Sequence, residues 1–588
     1  MKEVFGVPVS SGIAIGCAFL FTGNEIPDIP HYLIKKSQIE DEWGKFVRAT
    51  ETVAAKIRLH LKNTEQAIHK EQSDILKAHL MMVEDIDLHE QIQAHLQTKL
   101  ENVEWAVRSV SHEMTQKLLG AKDALLRERA VDIADISHEI LNELLSIHEI
   151  SLSDLSEDVI VVAHDLLPSQ AITADKKHVK ALVCEAGGKT SHVAILARSF
   201  EIPAIMGVSN ATREIHNGDL LIVNSESGAV IINPDEKELK KHRSAILGLE
   251  KHHQKDLALS ALPAETKDGI RFSLNANIEL PSDVDKLEPY GAEGIGLFRT
   301  EFLFLAAIGA TGEETQYDAY STVIKAMNGA PVKIRTCDAG GDKILPEFFP
   351  VEEKNPLLGW RAIRFSLAMP EVFKAQLRAI LRAGVHGNAE IIFPLVSGIE
   401  ELDKALALLE EAKEQCRQNG DPIAENIKVG VMIEVPSAAL TADILIKKVD
   451  FFSIGTNDLV QYSLAVDRGN EKVSYLASPT HPAILRLIKM TIEKAHQAGK
   501  KVSLCGEMAA SPFFTPLLIG LGLDEFSMHP SAIPRVKSII RNCLSDDCKK
   551  LAQRALKRQS GEEVNKLLEK FSSAHLMYCE ELISSTVL

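Results

Sequence analysis

From Phe272 onward the chain repeats one pattern, a short apolar run followed by a stretch with helical spacing. The runs are Phe272 to Ala276, Gly294 to Phe298, Val332 to Thr336, Ile391 to Pro394, Val429 to Ile433, Phe451 to Ile454, Val502 to Cys505 and the residues around Phe526. Glu400 to Arg417 and Ala483 to Ala498 are among the separating stretches, with apolar residues recurring at three and four. Eight strands with intervening helices over roughly 300 residues predict a TIM-like (β/α)8 barrel over 263–588, where chemistry gathers at the strand C-terminal ends.

Those ends carry charge that packing alone would not place there. The second run closes on Arg299, Thr300 and Glu301, the third on Arg335, the fifth on Glu434, and the sixth on Asn457 and Asp458. The seventh ends at Cys505, followed by Gly506 and Glu507. Arg299 and Arg335, with Lys343 and Arg468 from following loops, make a cationic nest, and guanidinium binds phosphate or carboxylate bidentately. Glu434 and Asp458 offer the hard oxygen ligands that Mg2+ uses while bridging substrate oxygens. Each alone reads equally well as a salt-bridge partner; together they point to an anionic, metal-bound ligand. A cysteine ending a strand is, by itself, more often inert packing.

Upstream the chain changes character twice. Residues 4–21, VFGVPVSSGIAIGCAFLF, hold short apolar pieces punctuated by Gly and Pro and read as one or two strands. From about Ser37 to Ile147 Gly and Pro almost vanish, and apolar residues such as Leu76, Leu80 and Val83 take helical spacing. Strand-like patterns return from Val159 to Ile232, so a helical unit over 34–147 reads as inserted into an α/β domain made of 1–33 and 148–235. Residues 236–262 are charged and helix-permissive before Pro263, and read as a linker helix between the two halves.

Within the α/β part lies GGKTSH, Gly187 to His192, followed by VAILARS. Thr190 and Ser191 offer helix caps, and Val193, Leu196 and Ala197 recur at helical spacing, which puts His192 in a first helical turn. Exposed N–H groups and the positive end of the helix dipole favour an anion there and disfavour an imidazolium. A neutral imidazole is a nucleophile and a phosphorylated one is an anion, so the position suits both states. One histidine among 21 proves nothing, but the glycines and hydroxyls beside this one raise its standing.

Composition narrows the partners. With 65 Lys and Arg against 82 Asp and Glu the net charge is −17, a poor match for nucleic acid or an anionic membrane. The eight cysteines show no CxxC pair or metal-type spacing, which fits a reducing cytoplasm. No apolar run approaches membrane-spanning length, so no membrane insertion is expected. SGIAIGC faintly resembles a lipoprotein cleavage site at Cys17, but Glu3, Pro8, Ser10 and Ser11 break the required apolar segment, and export is rejected.

GGKTSH resembles the phosphohistidine signature of phosphoenolpyruvate (PEP)-utilising enzymes, whose histidine takes a phosphoryl group directly from PEP. Motifs along nearly the whole chain are similar to those of enzyme I of the bacterial sugar phosphotransferase system (PTS). They include GAEGIGLFRTEFLF, VKIRTCDAGGDKILP, NPLLGWRAIR, IEVPSAAL, DFFSIGTNDLVQYSLAVDRGNEKVS and LDEFSM. The resemblance implies a swivelling phosphohistidine domain, PEP binding at Arg299, Arg335, Asn457 and Arg468, and magnesium at Glu434 and Asp458. Arg361 of GWRAIR joins the charged shell. VSLCGEMA resembles the segment whose cysteine acts as general acid, so Cys505 would protonate the enolate to pyruvate. EQSDILKAHLMMVEDIDL and DALLRERAVDIADI resemble helices that dock the small histidine-containing carrier HPr, with His79, Met81 and Met82 near that face; the spacing alone equally describes a core stripe. The family also implies a homodimer formed through the barrel.

Departures from the family pattern are Lys189 for an arginine, Ala171 for a hydroxyl residue, Ala134 for an arginine, and Leu305, Ala306 and Ala307 for Met-Asp-Arg. They motivate one alternative, a regulatory binding protein with weakened catalysis; a nitrogen-type paralogue, whose enzyme shares these motifs, is the other. PEP synthase and pyruvate phosphate dikinase, close rivals, need a nucleotide-binding domain for which no stretch remains.

Overall fold

The computed structural model describes residues 2–10, 12–21, 29–65, 79–119, 124–145, 152, 155, 157–166, 177–186, 197, 202–225, 227–305, 312–340, 353, 355–467, 470 and 472–575. The chain divides into two compact units, Met1–Glu250 and Lys251–Val587.

In the first unit β1 (Lys2–Phe5), β2 (Val7–Ser10), β3 (Ile13–Phe21), β4 (Val159–Ala163), β5 (Val179–Cys184), β6 (Ala204–Met206), β7 (Leu220–Asn224) and β8 (Ala229–Ile232) form one sheet. Its order is β1-β8-β7-β3-β4-β5-β6-β2. Residues 4–21 thus supply three strands, where the pattern suggested one or two. The reason is Gly6, which separates the two edge strands, so the sheet curls until its edges meet there. A Cβ on Gly6 would stand 2.5 Å from the Met206 carbonyl oxygen, so glycine is required. β4 reads VIVVA, and both its faces are covered: Val161 and Ala163 pack into one core, Ile160 and Val162 into the other.

β3 and β4 pair in parallel, Cys17 opposite Val159 and Phe21 opposite Ala163. Between them run α1 (Ile39–Glu65), α2 (Ile86–Lys99), α3 (Val103–Leu119) and α4 (Ala124–Leu144), the inserted helical unit. Asp85 caps α2 by accepting from the Asp87 N–H, and Leu100 ends it in the left-handed region, its N–H returning to the Leu96 carbonyl. Phe46, Ile92, Leu96, Val103 and Ile140 fill the helical core. Ala134 is exposed on α4. Next comes α5 (Glu236–Leu257), the helix at the linker position, with Glu236 and Glu238 in its first turn and Lys255 in its last, as the helix dipole favours.

In the second unit β9 (Ser273–Ile278), β10 (Ile295–Arg299), β11 (Val332–Arg335), β12 (Ala389–Phe393), β13 (Lys428–Ile433), β14 (Phe451–Ile454), β15 (Lys501–Leu504) and β16 (Glu525–Met528) close into a barrel. Every neighbouring pair is parallel. Each apolar run from Phe272 onward overlaps one of these strands. Polar side chains also fill the interior: Asn275, Ser453, Ser503 and Ser527 are buried. Gly296 makes room for Ser527, whose Oγ would be 2.3 Å from a Cβ there. Helix Ile533–Asn542 fastens the end of α5 and the segment after it: Arg535 pairs with Asp256 at 3.1 Å, Lys537 Nζ donates to the Ser260 carbonyl at 2.5 Å, and Arg541 donates to the Pro263 carbonyl at 2.7 Å. Among the described residues no helix is long and apolar enough to cross a membrane.

Candidate functional site

A parallel barrel strand delivers its last residues to one rim, and the following loop starts there. Arg299 ends β10, Arg335 ends β11, Glu434 follows β13, Cys505 follows β15, and Asn457 and Asp458 open the helix Thr456–Leu464 after β14. Residues as far apart in sequence as Arg299 and Cys505 thus share one rim.

At its centre the charges alternate. Arg335 is buried; its Nη2 donates to Glu301 Oε1, and its Nη1 is 3.2 Å from Asp338 Oδ2. Asp338 also accepts two bonds from Arg361 Nη2, at 3.0 and 3.1 Å. The same nitrogen reaches Asp458 Oδ2 at 3.1 Å, while Arg361 Nη1 donates to the Tyr462 hydroxyl at 3.0 Å. Burial works against both guanidinium charges, but Glu301 and Asp338 around Arg335, and Asp338 and Asp458 around Arg361, more than offset it, so both arginines hold their protons more tightly than usual. Among the described residues the Nε atoms of both find no hydrogen-bond partner, which leaves buried donors for an anion.

Glu434 is buried below this layer. Its Oε1 accepts the Leu395 N–H at 2.6 Å. Burial, then the Asp458 and Asp338 carboxylates, push its carboxyl up to about 8, against the pull of Arg335 and Arg361. The carboxylates therefore outweigh the local positive charge, and a divalent cation taking its remaining ligands from substrate and water would restore the balance. The described residues hold no cluster of three His, Cys, Asp or Glu placed for a metal, so the fit is to two carboxylates plus substrate oxygens.

Cys505 is 4 % exposed and belongs to a buried apolar cluster with Leu297, Ile392, Met432 and Phe451. Burial raises its thiol pKa; the Ser453 hydroxyl, donating to Sγ at 3.3 Å, and Arg335 oppose that rise. The thiol is thus protonated at neutral pH, the form a proton donor needs. Asn457 is held by Glu507, whose N–H it accepts at 3.1 Å and whose Oε1 its Nδ2 faces at 3.3 Å. Arg299 Nη1 donates to Glu279 Oε1 at 2.6 Å at the outer edge.

The rim therefore gathers Arg299, Arg335, Arg361, Glu434, Asn457, Asp458 and Cys505. His192, Lys189, Ala171, Lys343, Arg468, Ala306 and Ala307 lie outside the described residues. In the helical unit His79 is buried, 1 % exposed, Met82 is half-buried against the core, and Met81 stands 68 % exposed. Reading by motif passed over Asp338, Tyr462, Ser453 and Glu279. Asp338, three residues beyond Arg335 in RTCD, and Tyr462, one helical turn beyond Asp458, had a usable spacing signal; Ser453 and Glu279 had none.

A cavity of about 480 Å³ opens on the opposite rim, lined in part by Arg271, Ser273, Glu293 and Lys501. Its Arg271 pairs with Glu293 at 3.5 Å and its Lys549 with Asp546 at 3.2 Å.

Three family models match the chain: the N-terminal domain of PEP-utilising enzymes over 5–129, their mobile domain over 155–228, and their PEP-binding domain over 253–545. A phosphoenolpyruvate-protein phosphotransferase of Staphylococcus carnosus is 39 % identical over 97 % of this chain and 99 % of its own length. Proteins of that name from Lactococcus lactis subsp. cremoris and Haemophilus influenzae are 41 % and 40 % identical, over 96 % and 97 % of this chain and 99 % of their own lengths.

Proposed function

Because this chain belongs to the PEP-utilising enzymes and, within them, to the phosphoenolpyruvate-protein phosphotransferases of the PTS, we propose that His192 is the residue that accepts the phosphoryl group, from PEP held at the barrel rim. Arg299, Arg335, Arg361, Asn457 and, from the loops, Lys343 and Arg468 bind the phosphate and carboxylate of PEP. What carries the reading is the juxtaposition on one rim of buried arginines with free Nε donors, the paired carboxylates Glu434 and Asp458, of which Glu434 is pushed up by burial and its acidic neighbours, and a protonated thiol.

An imidazole nitrogen of His192 attacks phosphorus as the P–O bond to the enol oxygen breaks. The arginines stabilise the charge spread over the phosphoryl oxygens, a task of positioning and electrostatics. Glu434 and Asp458 would hold Mg2+, which when bound neutralises substrate oxygens. The enolate left behind takes the Cys505 proton at its methylene carbon and becomes pyruvate, and the thiolate recovers a proton from water. Domain boundaries follow this cycle: 1–33 with 148–235 carries His192, 34–147 docks the acceptor, 236–262 links, and 263–588 binds PEP and dimerises in the cytoplasm. The acceptor is a histidine of an HPr-like carrier, met near Met81.

Incubation with radiolabelled PEP and magnesium, wild type beside His192→Ala, followed by HPr, tests the reading. Acid-labile label on wild type alone, discharged by HPr, is expected. Retained label would point to another carrier, as in a nitrogen-type branch; no label would support a binding-only regulator.

A further inference from the structure

We propose that Ser453 is a positioning residue for the acid step, its hydroxyl fixing the Cys505 sulfur and stabilising the thiolate formed when that sulfur gives up its proton. The inference rests on the reading of Cys505 as proton donor to the enolate.

The backbone of Cys505 is held from two sides. Its N–H donates to the Ile454 carbonyl of β14 at 3.1 Å, and its own carbonyl accepts from Asn277 Nδ2 of β9 at 3.1 Å. Asn277 is oriented in turn by Ser527, whose Oγ donates to its Oδ1 at 2.5 Å. With the backbone fixed, the side-chain rotamer decides where the sulfur points. Sγ lies 3.7 Å from the Ile454 carbonyl, where the S–H can rest, and 3.3 Å from Ser453 Oγ, which donates to it. Strand register sets this pair: Ser453 lies opposite Ser503, so Cys505 sits two residues beyond on the same barrel face. Ser453 is fully buried, and a hydroxyl in a barrel interior is retained at a cost unless hydrogen-bonded.

During the step the S–H bond breaks as a C–H bond forms at the methylene carbon, and the negative charge passes from enolate oxygen to sulfur. Cys505 belongs to a buried apolar cluster with Leu297, Ile392, Met432 and Phe451, and apolar side chains do not solvate a thiolate. The charged groups that face it are Arg335 and Arg299, which favour the thiolate, and Glu434, which opposes it. Ser453 supplies the direct hydrogen bond. Because it donates to sulfur rather than accepting from it, the S–H can swing from the Ile454 carbonyl toward substrate while the sulfur stays in place.

The test uses full-length wild type, Ser453→Ala, Ser453→Thr and Cys505→Ala. Rapid quench follows label on His192 and pyruvate in one turnover, and iodoacetamide alkylation of the Cys505 peptide is mapped against pH. In Ser453→Ala, pyruvate formation should fall about tenfold or more relative to labelling, since hydrogen bonds to charged groups are worth roughly that much. The pH midpoint of alkylation should rise, and Ser453→Thr should restore both. Unchanged pyruvate formation and midpoint in Ser453→Ala would overturn the proposal. So would an equal fall in labelling and pyruvate that Thr fails to rescue, which marks a packing defect. If Cys505→Ala makes pyruvate at the wild-type rate, the underlying acid assignment fails, a result that Ser453→Ala alone cannot give.

Discussion

Replacing Glu434 by Gln should abolish turnover yet flatten the pH dependence of barrel stability in the absence of metal. The Glu434 carboxyl, 4.5 when free, is pushed up to about 8 by burial and then by Asp458 and Asp338. Between those values the native state holds a proton that the unfolded chain has lost. The stability this proton confers is fully present below pH 4.5 and is lost as pH rises through about 8. Within that window each pH unit removes up to about 1.36 kcal/mol, so from pH 6 to pH 8 the loss integrates to about 2 kcal/mol. Glutamine has no proton to lose. Urea-dependent hydrogen exchange in EDTA, read on peptides from β11 to β14, reports opening of the barrel separately from the first unit. Wild type should lose about 2 kcal/mol more than Glu434→Gln over that interval. Equal pH slopes for the two proteins would refute the argument, because they would mean that Glu434 titrates alike in both states. Magnesium should remove most of the wild-type slope and leave that of Glu434→Gln unchanged.

Other expectations follow from single contacts. Asp338→Ala strips a shared carboxylate from Arg335 and Arg361, and breaking such a buried pair costs about 3–5 kcal/mol; denaturant midpoints should fall and PEP binding weaken together. Gly506→Ala would bring a Cβ within 1.9 Å of Thr456 Oγ1, shifting the start of the helix that carries Asn457 and Asp458, so PEP-dependent labelling should drop with little change in secondary structure by circular dichroism. Lys537→Met leaves the Ser260 and Gly291 carbonyls without their donor; a loss of about 1–3 kcal/mol in local opening free energy should appear by hydrogen exchange at residues 258–264.

The barrel was legible in the chain because each strand is a compact apolar run, bounded by turns and spaced by helix-length segments, and that information is local. The rim was partly legible for the same reason: Arg299, Arg335, Glu434, Asp458 and Cys505 stand directly at run ends, and a parallel barrel sends all such ends to one side. Contacts among the rim residues are another matter. Asp338, Arg361 and Asp458 are separated by loops and whole βα units, so their ion pairs exist only after closure. Ser453 read as one more strand residue until β15 was laid beside β14 and placed its hydroxyl on a sulfur. Likewise Gly6 looked like a simple break, whereas two sheet edges meeting there make it the junction of two strands. What the amino-acid order determines by itself is which residues reach the rim. How acidic Glu434 is, and which guanidinium nitrogens remain free for an anion, depends on burial and on neighbours far along the chain, and tertiary packing alone decides those.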